Sequence, residues 1–145
     1  MQVLGIDRVL VATADIDDSV ARFEELLDLS FGSLIDPPGE PAANRMSASG
    51  IEFVTTDDED SAVGRFLAER GPGLYALALE VTDLDAARER LAEKGVEPIG
   101  EMDVADFREL FYHPSSFEGA LLVLTEYDHR HPAEIAARGL GGDDD

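Results

Sequence analysis

Few residues in this chain carry obvious chemistry. There are three histidines, His113, His129 and His131, and no cysteine. His129 and His131 have the spacing to share a metal ion, and they equally suit a solvated tail. His113 stands before a proline, so it reads either as a general acid or base or as a turn residue. Tyr75 either donates a hydrogen bond to a ligand oxygen or lines an aromatic core. Arg45 and Arg108 fall in extended stretches, where they would line a cavity mouth or pair with surface carboxylates. Phe107, Phe111 and Phe117 read as core or as pocket wall, with Phe111 touching a ligand in the second case. The chain has no Gly-rich phosphate loop, no HExxH and no GxSxG. That leaves phosphate-loop, zincin and serine-hydrolase chemistry without a motif. The Asp57–Asp60 run lacks the glycine and distant glutamate of a calcium loop.

Charge narrows the partners. The chain carries 32 acidic residues against 11 basic ones, for a net charge of −21, and Lys94 is its single lysine. Such a field repels nucleic-acid backbones and anionic membranes, so neither is an expected partner. An anionic thioester would need a local arginine patch. Apolar runs are of strand length, and the N-terminus has no signal-peptide core. With no cysteine, disulfides and thiolate zinc sites are excluded, and a cytoplasmic location is expected.

The elements that must position these residues come from a repeat. Gly5 to Asp18 reads as a buried strand entering a helix, and a weaker copy begins at Gly73. At this offset of 68 residues, Gly5 meets Gly73, Asp15 meets Asp83, Asp17 meets Asp85 and Arg22 meets Arg90. Asp15 or Asp17 caps a helix over about 17–28, whose apolar face holds Val20, Phe23, Leu26 and Leu27. A strand is expected over Leu29–Ile35, a loop at Pro37–Pro41, and strands at 44–48 and 51–56 around Ser49-Gly50. A short helix falls within the connection 57–72. The second half reads as a strand at 74–81, a helix over about 83–94 closed by Gly95, and strands after Pro98, at 107–112 and at 119–126. The organisation is thus a first module at 1–56, a linker at 57–72, a second module at 73–127 and an acidic tail at 128–145. The fold class is α+β. Two βαβββ modules are expected to pair into a curved mixed sheet around a central cavity, the usual place for a small-molecule site.

The repeated pattern, with Ile6-Asp7-x-Val9 before Asp15-Ile16-Asp17, resembles the vicinal oxygen chelate superfamily. This is the glyoxalase, bleomycin-resistance protein and extradiol dioxygenase group. Gly5–Gly32, Gly73–Pro98 and Phe107–Glu126 carry the resemblance, over about two-thirds of the chain. It is similar above all to the methylmalonyl-CoA epimerase and lactoylglutathione lyase branch. The resemblance implies a divalent metal held by two histidines and two Glu or Gln side chains. Carried over one position at a time, those places fall on Arg8, Glu52, Ala76 and Val123. Only Glu52 is able to ligate, so the family metal site is expected to be absent, and no cofactor is expected.

Arg8 and Glu52 are therefore the pair to watch. On this carry-over they face each other in the cavity as an ion pair. Either Arg8 anchors a ligand carboxylate, phosphate or enolate oxygen while Glu52 orients it or acts as base, or the pair is structural. Two functions stay open. One is a metal-independent isomerase or lyase acting on a small carbonyl, carboxylate or acyl-thioester ligand through Arg8 and Glu52, with Tyr75 or His113. The other is a non-catalytic binder of the sequestering kind. A metal-dependent epimerase follows if the register is displaced. A homodimer is expected from the family habit.

Overall fold

A computed structural model describes residues 1–36, 38–104 and 107–127. Among these lie seven strands, three α-helices and one 3-10 turn, an α+β arrangement. The strands are β1 (Val3–Ala12), β2 (Ala42–Met46), β3 (Ile51–Thr56), β4 (Gly73–Val81), β5 (Gly100–Val104), β6 (Phe107–Tyr112) and β7 (Leu121–Tyr127). The helices are α1 (Ile16–Leu27), α2 (Ala62–Arg70) and α3 (Leu84–Glu93). No helix among the described residues is long and apolar enough to cross a membrane. The histidines at 129 and 131 and the acidic tail lie outside the described residues.

The chain divides into two compact units. In the first, Met1–Arg8 joins the described residues from Ala76 to Tyr127. Its strands follow the order β1-β4-β7-β6-β5. Here β4 and β7 run parallel, while β6 is antiparallel to both β7 and β5. Helix α3 covers one face. Leu84 and Ala87 meet Leu110, Tyr112, Leu122, Leu124 and Val81 in a buried cluster. The N-terminus of α3 is closed by two carboxylates. Asp83 Oδ1 accepts from the Ala86 amide at 3.0 Å, and Glu126 on β7 accepts from the Leu84 amide at 2.5 Å. Both satisfy amides the helix leaves unpaired and favour the positive end of its dipole. At the other end, Gly95 takes φ +79°. Its amide bonds to Ala92, and that of Val96 to Leu91, which is a Schellman closure. Replacing Gly95 with Ala should cost about 1 kcal/mol, the penalty for a Cβ in the left-handed region, measurable by urea unfolding.

The second unit holds Val9–Tyr75. Its strand order is β2-β3-β1, with β3 parallel to Val9–Ala12 and antiparallel to β2. Asp15 is the N-cap of α1, accepting from the Asp18 amide at 3.1 Å. Ile16 and Val20 of α1 bury against Phe53, with Phe23 and Phe31 packed around them. The strand expected over Leu29–Ile35 does not form. That stretch makes only isolated bridges, Phe31 to Ser47 and Ile35 to Asn44. The Phe31 amide donates instead to the Glu24 carboxylate at 3.0 Å, so a side chain takes the bond a ladder would need. In the connection before β4, Ser61 caps α2 by accepting from the Gly64 amide. A Cβ on Gly64 would strike the backbone of Asp58 and Glu59, at 2.8 Å from Glu59 Cα. Gly64→Ala should therefore destabilise by about 1–3 kcal/mol, read by thermal melting, because backbone cannot swing aside as a side chain would.

Candidate functional site

Strand alternation sorts the first unit into two faces. Leu110 and Tyr112 on β6, and Leu122 and Leu124 on β7, turn toward α3. The residues between them, Phe107, Glu109 and Phe111 on β6 and Val123, Thr125 and Tyr127 on β7, lie on the opposite face. Register aligns them into rungs. Glu80, Thr125, Glu109 and Met102 form one, and Ala78, Val123, Phe111 and Gly100 the next.

Charge collects at the first of these rungs. The Arg8 guanidinium donates from one terminal nitrogen to Asp7 Oδ2 at 2.7 Å, and from the other to Glu109 Oε2 at 2.8 Å. The side chain of Arg8 is 11% exposed, and those of Asp7 and Glu109 are 4% exposed. Tyr127 donates its hydroxyl to the same Asp7 oxygen at 2.9 Å. A chain of four side chains results, Tyr127–Asp7–Arg8–Glu109, and three of its members are charged. Burial pushes the Tyr127 phenol well above its usual range, and the Asp7 charge pushes it further. A phenol harder to ionise in the fold than in the unfolded chain supports stability at neutral pH. This support is complete below about pH 10 and drains away as pH rises toward the folded value. Unfolding measured from pH 8 to 11.5 should show stability falling beyond pH 10. Tyr127→Phe should flatten that fall while costing about 1–2 kcal/mol at pH 7 through the lost bond to Asp7.

The structure places the other sequence candidates as follows. Glu52 is on β3 of the second unit and 5% exposed. Tyr75, also in that unit, packs edge-on against Phe66 with centroids 5.2 Å apart. Burial raises its phenol, against an opposing pull from Arg65. Arg45 donates to the Gly32 carbonyl at 2.8 Å and to Asp17 at 3.1 Å. Arg108 makes two bonds to Asp85 on α3, at 3.0 and 3.2 Å, so it serves the helix-bearing face. Its hydrogen bond and charge hold the Asp85 carboxyl below the usual range. His113 caps the 3-10 turn Pro114–Ser116, its Nδ1 accepting from the Ser115 amide at 3.0 Å. Phe111 lies beside Glu109 on the same face of β6. Within the first unit, then, Arg8 and Phe111 share the charged face, and Arg108 and His113 are occupied elsewhere.

Asp7, Glu109 and Tyr127 were not singled out from sequence. The available signal was the alternation Phe107-Arg108-Glu109-Leu110-Phe111. It sets a carboxylate between two aromatics on one face of a strand, an expensive place for a charge that has no partner.

The repeat also locates the places where the resemblance implies metal ligands. Leu10 pairs with Glu52 on β3, and Ala78 pairs with Val123 on β7. Leu10 and Ala78 are related by the repeat offset, so Glu52 and Val123 hold equivalent positions. Arg8 and Ala76 are equivalent by the same offset. The four side chains are a guanidinium, a carboxylate, a methyl and an isopropyl group. A single carboxylate among the four supplies too few ligands for a divalent ion. Among the described residues, no group of three or more His, Cys, Asp or Glu could hold one.

Comparison with known proteins agrees with the repeat. A family model described as the Glyoxalase/Bleomycin resistance protein/Dioxygenase superfamily matches residues 7–111. An ethylmalonyl-CoA/methylmalonyl-CoA epimerase from Cereibacter sphaeroides is 28% identical over 130 residues, covering 83% of this chain and 96% of that protein. The crystal structure of methylmalonyl-CoA epimerase from Mycobacterium tuberculosis is 29% identical with a TM-score of 0.78, over 88% of this chain and 90% of that one. A variant of the Streptomyces coelicolor enzyme in complex with 2-nitronate-propionyl-CoA shares the fold, with 23% identity, a TM-score of 0.79, and coverage of 88% of this chain and 100% of that one.

Proposed function

The chain belongs to the Glyoxalase/Bleomycin resistance protein/Dioxygenase superfamily, and from that premise we propose that it binds a small acyl thioester and moves a proton on it without a divalent ion at the family positions. One observation carries the reading. The first of those positions holds a cation that is part of the protein, Arg8, buried and oriented by Asp7 and Glu109. Removing a proton next to a carbonyl breaks a C–H bond and sends its electron pair onto the carbonyl oxygen. A fixed positive charge at that oxygen lowers the barrier, and a nearby carboxylate takes the proton. Returning the proton to the opposite face of the carbon completes an isomerisation. Arg8 supplies the charge in this reading, and Glu109 the carboxylate. The epimerase relatives support the thioester as the ligand class. The same reading takes the chain as a cytoplasmic homodimer, which sedimentation would measure.

The test is solvent exchange. Chelator-treated protein, incubated with methylmalonyl-CoA in D2O, should place deuterium on the carbon between the two carbonyls. Arg8→Lys should slow this by about 100-fold or more, as loss of an oxyanion donor does. Exchange seen only after cobalt is restored would return the chain to metal-dependent chemistry.

A second reading has its own observation. Both terminal nitrogens of Arg8 already bond to carboxylates, which suits a structural cation and a non-catalytic binder. Saturable binding with no exchange would favour it. Neither binding nor exchange would end both readings.

A further inference from the structure

Thr125 lies on the charged rung of the first unit, and nothing so far has used it. It is fully buried, with 0% exposure. Its hydroxyl finds no hydrogen-bond partner among the described residues. Its direct cross-strand partner on β6 is Glu109, and on β4 it is Glu80. Facing pairs on one side of a sheet hold their Cβ atoms roughly 5 Å apart. That is close enough for one oxygen atom to bridge a threonine hydroxyl and a glutamate carboxylate. A buried hydroxyl left without a partner costs about 1–3 kcal/mol, and buried polar groups in folded proteins are almost always satisfied, often by internal water.

The repeat makes the same point independently. Ala12 pairs with Val54 and Asn44 with Val54, as Glu80 pairs with Thr125 and Glu109 with Thr125. Asn44 in the second unit therefore holds the place of Glu109 in the first. The Asn44 Oδ1 atom is also buried with no partner among the described residues. In each unit this rung carries a polar side-chain atom that no described residue satisfies.

We propose that Thr125 and Glu109 form a two-point subsite for a hydroxyl-type oxygen. In the free protein the occupant is a water molecule. With ligand bound, it is a hydroxyl or enol oxygen of that ligand. The Thr125 hydroxyl donates to the oxygen, and the oxygen donates its own proton to the Glu109 carboxylate. Arg8 holds the other Glu109 oxygen, Oε2, at 2.8 Å, which fixes the carboxylate's orientation. Glu109 is then the group positioned to exchange a proton with the occupant. The ligand part of this inference rests on the proton-transfer reading above, and the water part does not.

Thr125→Val tests both parts, because it keeps the shape and removes the hydroxyl. If water bridges Thr125 and Glu109, the valine leaves that water short of a donor. The melting temperature should then fall by about 3–6 °C, and Thr125→Ser, which keeps the hydroxyl, should avoid most of that loss. If the hydroxyl is merely unsatisfied, valine relieves it, and an unchanged or higher melting temperature overturns the proposal. A crystal structure of the free protein should show an ordered water within hydrogen-bond distance of Thr125 Oγ1 and a Glu109 carboxylate oxygen. A dry contact there overturns it equally. Where wild-type protein exchanges deuterium into methylmalonyl-CoA, Thr125→Val should lower kcat by at least 10-fold with little change in KM. Full activity in that variant would limit the subsite to water and overturn its ligand part. No exchange in the wild type would overturn the proton-transfer reading and the ligand part with it, and the melting and crystallographic results would still decide the water subsite.

Discussion

Arg8→Ala should destabilise the protein by about 3–5 kcal/mol, a large share of the 5–15 kcal/mol that holds a typical domain together. The cost does not come from the attraction lost, since desolvation cancels most of that in a buried pair. It comes from what the substitution leaves behind. Asp7 and Glu109 each have side chains 4% exposed, and both would lose the guanidinium that faces them. Chemical denaturation at pH 7 would measure it. A variant within 1 kcal/mol of wild type would mean that the cluster is solvated in solution and does not form a buried ionic site. One further outcome follows from the same cause. Arg8→Lys should recover only part of the loss, because a single ammonium cannot reproduce two bonds from two separate nitrogens.

Phe53→Ala should cost a similar amount, about 3–5 kcal/mol, for an unrelated reason. Phe53 is 2% exposed and central to the small core under α1. The Phe23 ring meets it edge-on at 4.9 Å, and the Phe31 ring lies tilted at 5.3 Å. Truncation leaves a cavity that two rigid rings cannot close, and it forfeits both aromatic contacts. Phe53→Leu should cost less than half as much. Chemical denaturation at pH 7 would measure both variants, and a cost below 1 kcal/mol for Phe53→Ala would mean that the core closes around the truncation.

These two effects also separate what could be read from the chain. Phe53 sits in an alternating strand, Ile51-Glu52-Phe53-Val54, beside a helix with an apolar stripe. Period-two and helical spacing place such a residue in a core without coordinates. The helix cap at Asp15, offered alongside Asp17, the closure at Gly95 and the hairpin of β2 and β3 were legible for the same reason. Each is set by residues within a few positions of one another. The offset that maps Gly5 onto Gly73 added the α+β class and the family, and the observed pairing of Leu10 with Glu52 and of Ala78 with Val123 places those two partners at equivalent sites. Leu29–Ile35, expected as a strand, makes only isolated bridges, and its Phe31 amide could pair in two ways. The choice fell to the Glu24 carboxylate, seven residues earlier.

The charged cluster was beyond the sequence. Arg8 was conspicuous at the family position, but its partner Glu109 is 101 residues away and Tyr127 is 120 residues from Asp7. Thirty-two acidic residues offered themselves as partners for that cation. Composition and spacing cannot rank such candidates, because the strength of an ion pair depends on burial and on a few ångströms of separation. The resemblance legible in the sequence implies that a cation stands where the family places a metal ligand. The pairing of β6 with β7 decided that Glu109 lies beside Thr125, and the folded first unit decided that Arg8 reaches it.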